Sequence, residues 1–371
     1  MNTRHLIRID SQHVQLGLPA RFDIYSDSGK LLLGRGLTVY RADTVDRLQD
    51  EGFRLADNTT RAHLTQESVF RRISLVADQL NPIERALIER RAVSSFNVKL
   101  RALAETVTQC CDEDADAALA QLYLNCYHPY SVLHHILVAV VICVLTRAQQ
   151  WSSSERVSLV AAALTHDLGV ISGGSELGHA GPLTDAQRVF VREHPQAGVE
   201  FLTRLDVTDA LWLLAVLEHH EHLDGSGYPS GIRLGLNSPA ALMAVADGFA
   251  AMIRPRAYRN RKLGNDIIED LRAHAGSWYN PVLVESIATD IGHYHAGSIV
   301  RLVSNDIAVV TRHRFDQPLA PELLVLADDG IQPLETPYAV DSADPDFAIK
   351  AALHPEVSLS FRNIVNRAWG G

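Results

Sequence analysis

Between about residue 67 and residue 296, apolar side chains recur at three- and four-residue spacing, the period of helices packed on a core. Five of these stretches carry a histidine or an aspartate inside or at the end. They are "SVLHHILVAVV" with His134 and His135, "VAAALTHDLG" ending in His166 and Asp167, "VFVREHPQAG" with His194, "LWLLAVLEHH" ending in His219 and His220, and "ALMAVADGFAAM" with Asp247. Each has an ordinary explanation alone. A core histidine can be satisfied by a hydrogen bond, and a His-His pair at a helix end complements the dipole. Asp247 is harder to place, because an isolated buried charge is very costly and must be paired. Taken together, imidazoles and carboxylates are ligand types for a divalent transition metal such as iron or manganese. A helical bundle can aim them inward from several helices. A bridging carboxylate can hold two cations close together, and two cations can activate a water and stabilise both oxygens of an in-line displacement at phosphorus.

The helix starts are marked. Ser152 with Glu155 and Thr184 with Gln187 form capping boxes, and Ser238 followed by Pro239 is a cap with a first-turn proline. Upstream, "ARFDIYSDSGKLLLGRGL" reads as strand, turn and strand, with "ADTVDRLQDEG" as a short helix. Downstream, "SIVRLVSNDIAVVTRH" and "PELLVLADDGIQPL" read as strands around turns. The chain is therefore predicted to be mainly α. Its parts are a small α+β module over 1–66, a helical linker over 67–97, a helical metal-binding domain over 98–296, and a β-rich extension over 297–371.

The net charge of −10 argues against a nucleic-acid binder, which would show a basic stripe. It leaves room for a small anionic ligand, since a metal and a few arginines can reverse the field locally. The longest unbroken apolar run, Ile136 to Leu145, is ten residues, against about 20 for a membrane helix. The first ten residues lack the apolar core of a signal peptide. Cys110, Cys111, Cys126 and Cys143 have no metal-knuckle spacing and read as reduced thiols, which predicts a cytoplasmic protein with no membrane association.

The stretch "LEHHEHLDGSGYPSG", residues 217–231, ends a helix abruptly. It can be a polar helix end followed by a plain turn. It can equally be metal ligands followed by a loop whose glycines bring backbone close to a ligand. Glu221 and His222 read as solvated helix-end residues in either case.

The order of His134, His166-Asp167, His194, His219-His220 with "DGSGYP", and Asp247 resembles the HD-GYP domain, a branch of the HD superfamily of metal-dependent phosphohydrolases. The resemblance covers roughly residues 98–296, and "HHEHLDGSGYPSG" is its most specific part. It selects the second reading of the loop. It implies an HD-type helical bundle that hydrolyses cyclic di-GMP to pGpG or GMP in bacterial signalling. It further implies two divalent metals, iron or manganese, held by His134, His166, Asp167, His194, His219, His220 and Asp247. Asp167 is the implied bridge and catalytic carboxylate. Arg256 and Arg259 match the basic pair that contacts phosphate, and Gly227, Tyr228 and Pro229 complete the loop, which in this family also contacts other signalling proteins.

The chain departs from the family at three places. Val170 stands where a lysine normally follows the His-Asp pair, and a valine supplies no charge to a phosphate. His179 and Ala180 stand where lysine and proline are common. Tyr130 stands where some members carry a glutamate linked to a third metal. A degenerate relative that senses cyclic di-GMP, or serves as an interaction scaffold, is the alternative that Val170 raises.

Overall fold

The computed structural model describes residues 68–125, 127–147, 149, 151–172, 184–236, 238–254, 262–328, 333–354 and Trp369, with short stretches between 6 and 55. Two compact units result, Met1–Glu67 and Ser68–Gly371. In the first, β1 (Leu6–Arg8), β2 (Ile24–Tyr25), β3 (Leu31–Leu33) and β4 (Phe53–Leu55) form an antiparallel sheet in the order β1-β4-β2-β3. Its core is small: Ile9, Val14, Ile24, Val39, Val45 and Leu48.

The second unit is a helical body with a sheet at its C-terminal end. Its helices are α1 (Val69–Ile88), α2 (Phe96–Leu124), α3 (Tyr130–Arg147), α4 (Ser153–Ala163), α5 (Leu168–Ser172), α6 (Asp185–Arg204), α7 (Ala210–Glu218), α8 (Pro239–Ile253), α9 (Asn265–Ala273) and α10 (Pro281–Ser286). The mainly α fold expected from the periodicity is what the structure has. Both capping boxes are formed, by Ser152 with Glu155 and by Thr184 with Gln187, and the Ser238 hydroxyl caps α8. Helix α1, which the sequence places in a linker, buries Val69, Ile73, Val76, Leu80 and Leu87 in the same core as α2 and α3.

Helix α3 is the axis of the body. Every residue from Val132 to Thr146 is buried. The ten-residue run read in the sequence is thus part of an 18-residue helix whose mean hydropathy, 1.8, and length would suffice to cross a membrane, but 83% of it is buried by the surrounding helices. The core explains its composition: a helix covered on all sides has no polar face.

Helix α2 is kinked. Asp114 leaves helical geometry at φ −157° and ψ 89°, and its side chain accepts the Ala117 amide, capping the second half of the helix. The kink also ties the sheet to the bundle. Arg312 donates to both Asp114 oxygens at 3.2 and 2.8 Å, and the His313 ring lies 3.0 Å from the buried Asp116. The sheet is antiparallel, in the order β8-β7-β6-β5-β9, from β5 (Ile299–Leu302), β6 (Ile307–Arg312), β7 (Glu322–Ala327), β8 (Pro333–Asp341) and β9 (Ile349–Leu353). Its side chains alternate: Ile299, Ile307 and Val309 join the helical core, while Val300, Ala308 and Val310 face a second cluster with Leu323 and Val325.

Candidate metal centre

Helices α3, α4, α6, α7 and α8 bring their ionisable residues to one place. His134 lies one turn into α3, and His166 and Asp167 lie in the turn between α4 and α5. His194 is in the middle of α6, His219 and His220 follow the last residue of α7, and Asp247 is in α8. Close backbone packing sets two of these elements together. A Cβ on Gly169 would run into the His194 carbonyl oxygen and lie 2.9 Å from the Gly198 amide, so α5 rests directly on α6.

Three of the histidines are held by the same local device. The Nδ1–H of His166 donates to the Ala163 carbonyl at 2.8 Å, that of His194 to Val191 at 2.6 Å, and that of His219 to Val216 at 2.7 Å. Each carbonyl belongs to the residue three positions earlier and can only accept. Nδ1 is therefore the protonated nitrogen of each neutral ring, and each Nε2 faces the site. His194 Nε2 and His219 Nε2 then stand 3.1 Å apart. Burial, aided by neighbouring imidazoles, pushes the basicity of both rings down. Two neutral lone pairs facing each other at this distance cannot satisfy one another, whereas one cation between them satisfies both.

The carboxylates lie on the other side of the same space. Asp167 has one oxygen 3.4 Å from His194 Nε2 and the other 3.6 Å from His166 Nε2. Asp247 Oδ1 is 2.9 Å from His134 Nε2 and 3.8 Å from His166 Nε2. Burial would raise both carboxyls, but the surrounding histidines outweigh it and hold both well below the usual carboxylate range. Burial also works against charge on His166, yet the two carboxylates raise it to about 9. For the half-buried His220 desolvation wins instead: Asp247 and Asp167 raise it, but burial and the neighbouring imidazoles lower it to about 4. The Nδ1 of His134 and the Nε2 of His166 are buried without a hydrogen-bond partner.

These atoms sort into two sets. One ligand atom each from Asp167, His194, His219 and His220 lie within 4.8 Å of one another, and so do those of His134, His166 and Asp167. Asp167 belongs to both. The donor types, the opposed lone pairs and the partnerless ring nitrogens fit divalent cations. The centre is open on one side: the Asp167 side chain remains 30% exposed. His135, next to His134, lies 2.8 Å from Glu84 of α1, with its ring centroid 5.0 Å from that of His166.

The loop after α7 closes against the mouth. Gly227 packs so tightly on the backbone of His220 and Glu221 that no side chain fits there. The Tyr228 amide donates to the His220 carbonyl at 3.0 Å, and its ring centroid is 4.7 Å from that of His220. The Tyr228–Pro229 peptide is cis, and Pro229 is exposed. Tyr130 stacks on His134 with ring centroids 5.4 Å apart and planes 11° apart. Val170 is half-buried on α5. Arg256, Arg259, His179 and Ala180 lie outside the described residues.

Sequence reasoning misplaced or missed several residues. Glu221, read as solvated, is fully buried, and its carboxylate accepts the amides of Ser230, Gly231 and Ile232 at 2.6, 3.0 and 3.1 Å. It closes the loop from within. His222 is half-buried and stacks on Trp278 at 4.9 Å. Glu84 holds both Ser131 and His135 and was overlooked, although it falls on the apolar stripe of α1. Arg192 was also overlooked, and its guanidinium carbon sits 5.2 Å from the Tyr228 ring centroid.

Residues 117–283 match the HD domain family. With the complete loop at Gly227, Tyr228 and Pro229, that match decides the assignment. This region is an HD domain. It is similar to the Pseudomonas aeruginosa cyclic di-GMP phosphodiesterase PA4108, at 30% identity over 215 residues covering 57% of this chain and 51% of that protein. It is also similar to a Thermotoga maritima cyclic di-GMP phosphodiesterase, at 34% identity over 129 residues covering 34% of this chain and 35% of that protein. The chain thus spans about half the length of the first relative and about a third of the second. Among solved structures, Bd1817, a HDG"Y"P protein from Bdellovibrio bacteriovorus, shares the fold. It does so at a TM-score of 0.50 and 18% identity, over 76% of this chain and 98% of that one.

Proposed function

We propose that the HD-GYP domain is a metal-dependent phosphodiesterase that hydrolyses cyclic di-GMP to pGpG, with weaker turnover to GMP. The observation that carries this is the opposed pair of neutral Nε2 atoms on His194 and His219, 3.1 Å apart beside a carboxylate shared by two ligand sets. Neither feature has a use in a site without cations, and buried unpaired polar groups are costly to keep. Iron or manganese would be held by His134, His166, Asp167, His194, His219, His220 and Asp247, and would supply Lewis-acid activation of water and of the phosphoryl oxygens.

The chain's own groups do the rest. Asp167, which belongs to both sets, would be a ligand shared by the two cations. Asp247 balances charge on the His134 and His166 side. Tyr228, on its cis-proline loop, lines the mouth where a planar base can pack. Arg256 and Arg259 follow Asp247 by nine and twelve residues and contact the phosphates as charge-assisted donors. Val170 removes one cation from the usual complement, so turnover is slow. The loop surface is also where other signalling proteins would dock.

The test is elemental analysis of purified protein together with cyclic di-GMP turnover in iron and in manganese, with a related cyclic dinucleotide as competitor. Two metals per chain and slow hydrolysis are expected, and Asp167→Ala should lose at least one metal. Electrostatic groups aimed at developing negative charge are often worth ~10²–10³ in rate. Val170→Lys should therefore raise turnover about ten- to hundredfold, about 1.4–3 kcal/mol of barrier. Tight binding by metal-loaded protein, with no cleavage by wild type or Val170→Lys, would replace the enzyme with a sensor. No binding at all would leave the scaffold or another phosphate-ester substrate.

A further inference from the structure

Arg192 lies on α6, one position away from the residue before His194, and is exposed. Its guanidinium carbon is 5.2 Å from the centroid of the Tyr228 ring, and that ring lies 4.7 Å from His220 and 6.4 Å from His194. Among the described residues no carboxylate pairs with Arg192. Its neighbours on the surface are occupied differently: Arg188, one turn earlier on α6, pairs with Asp185. An arginine over an aromatic face keeps its N–H donors at the rim free for an anion, because stacking uses the plane and not the edge.

The position matters because of what is missing next door. Val170 is the residue immediately after Gly169, whose backbone rests on the His194 carbonyl. Helices α5 and α6 are therefore in backbone contact at the level of His194. Arg192 sits two positions before His194 on that same α6. A phosphodiester approaching past Tyr228 meets Arg192 before it meets the ligands.

We infer that Arg192 is a substrate-binding residue, a guanidinium held on the Tyr228 face that contacts a phosphate of the cyclic dinucleotide and replaces in part the cation absent at Val170. This rests on the phosphodiesterase reading above. A planar fork with several donors can take two phosphate oxygens at once, so the contact is charge-assisted and bidentate.

The experiment compares metal-loaded wild type with Arg192→Met, Arg192→Lys and Arg188→Ala. Methionine keeps a flexible apolar cover on Tyr228 without charge, and lysine keeps the charge without the fork. Affinity for cyclic di-GMP is measured by calorimetry, kcat and KM by hydrolysis, and metal content by elemental analysis. Arg192→Met should weaken cyclic di-GMP binding about tenfold or more, with metal content unchanged. Arg192→Lys should recover part of that loss, and Arg188→Ala should behave as wild type. Raised salt should weaken wild-type binding more steeply than that of Arg192→Met, since one charged contact is gone. If Arg192→Met binds and cleaves within twofold of wild type, Arg192 only covers the ring and the inference is overturned, while the phosphodiesterase reading stands. If wild type neither binds nor cleaves cyclic di-GMP with metal loaded, both fall.

Discussion

At the scale of single residues, Glu221 separates holding the site from composing it. Three backbone amides converge on its buried carboxylate, and those amides belong to the three residues after the Tyr228–Pro229 pair. Glu221→Ala leaves those donors without an acceptor, at about 1–3 kcal/mol for each one that stays buried. The variant should unfold at lower denaturant and show a raised KM, with metal content close to wild type. Glu221→Gln, which keeps one acceptor oxygen, should lose less. Equal unfolding midpoints for all three proteins would mean that the loop holds itself. Metal removal acts on the opposite group of residues. Asp167 and Asp247 keep their charges beside several imidazoles, so a chelator should lower the melting temperature. A ligand at a hundred times its Kd contributes about 2.7 kcal/mol, and scanning calorimetry with and without chelator reads the difference. The chemistry of His134, His166, Asp167, His194, His219, His220 and Asp247 could be seen in the sequence because those residue types stand out against apolar neighbours. Glu221 could not: an acid in a polar helix end looks solvated, and only the return of the chain at residues 230–232 buries it.

At the scale of elements, the helix starts were legible because a cap is a local event. Ser152, Thr184 and Ser238 each accept an amide two or three residues on, and nothing remote is required. Thr184→Ala should cost about 1 kcal/mol while metal content stays unchanged, because His194 sits far inside α6. Elemental analysis together with chemical denaturation checks both halves of that statement. The break in α2 was illegible for the converse reason. "CCDEDADAAL" has no glycine or proline to mark a break, and Asp114 leaves helical geometry where Arg312 and His313 of β6 and its following turn meet Asp114 and Asp116, almost two hundred residues away in sequence. The role of α1 was obscured in the same way. Glu84 sits on the stripe formed by Val69, Ile73, Val76, Leu80 and Leu87, and an acid on such a stripe is a sign of a buried partner. The partner, His135, lies on another helix.

At the scale of the whole molecule, the two units have separate cores: the six residues centred on Ile24 share none with the helical core that starts at Val69. A chain beginning at Ser68 should therefore keep its helices, with a higher helical content per residue, and bind the same metals, as read by circular dichroism and elemental analysis. Loss of metal in that truncated chain would show that the first unit contributes to the centre. The five-stranded sheet, by contrast, cannot be removed cleanly, because Ile299, Ile307 and Val309 are part of the bundle's interior.

The full burial of α3 has a consequence of its own. A rod that is greasy all the way round has no preferred azimuth, since aliphatic packing alone would accept it turned by a fraction of a revolution or slid by a residue. Two polar keys, on adjacent positions and engaging different helices, index it: His134 against Asp247 of α8 and His135 against Glu84 of α1. The pair that belongs to the metal centre thus also sets the angular register of the central helix, and a cation seated on His134 would act as a detent for the core as much as a reagent for the chemistry.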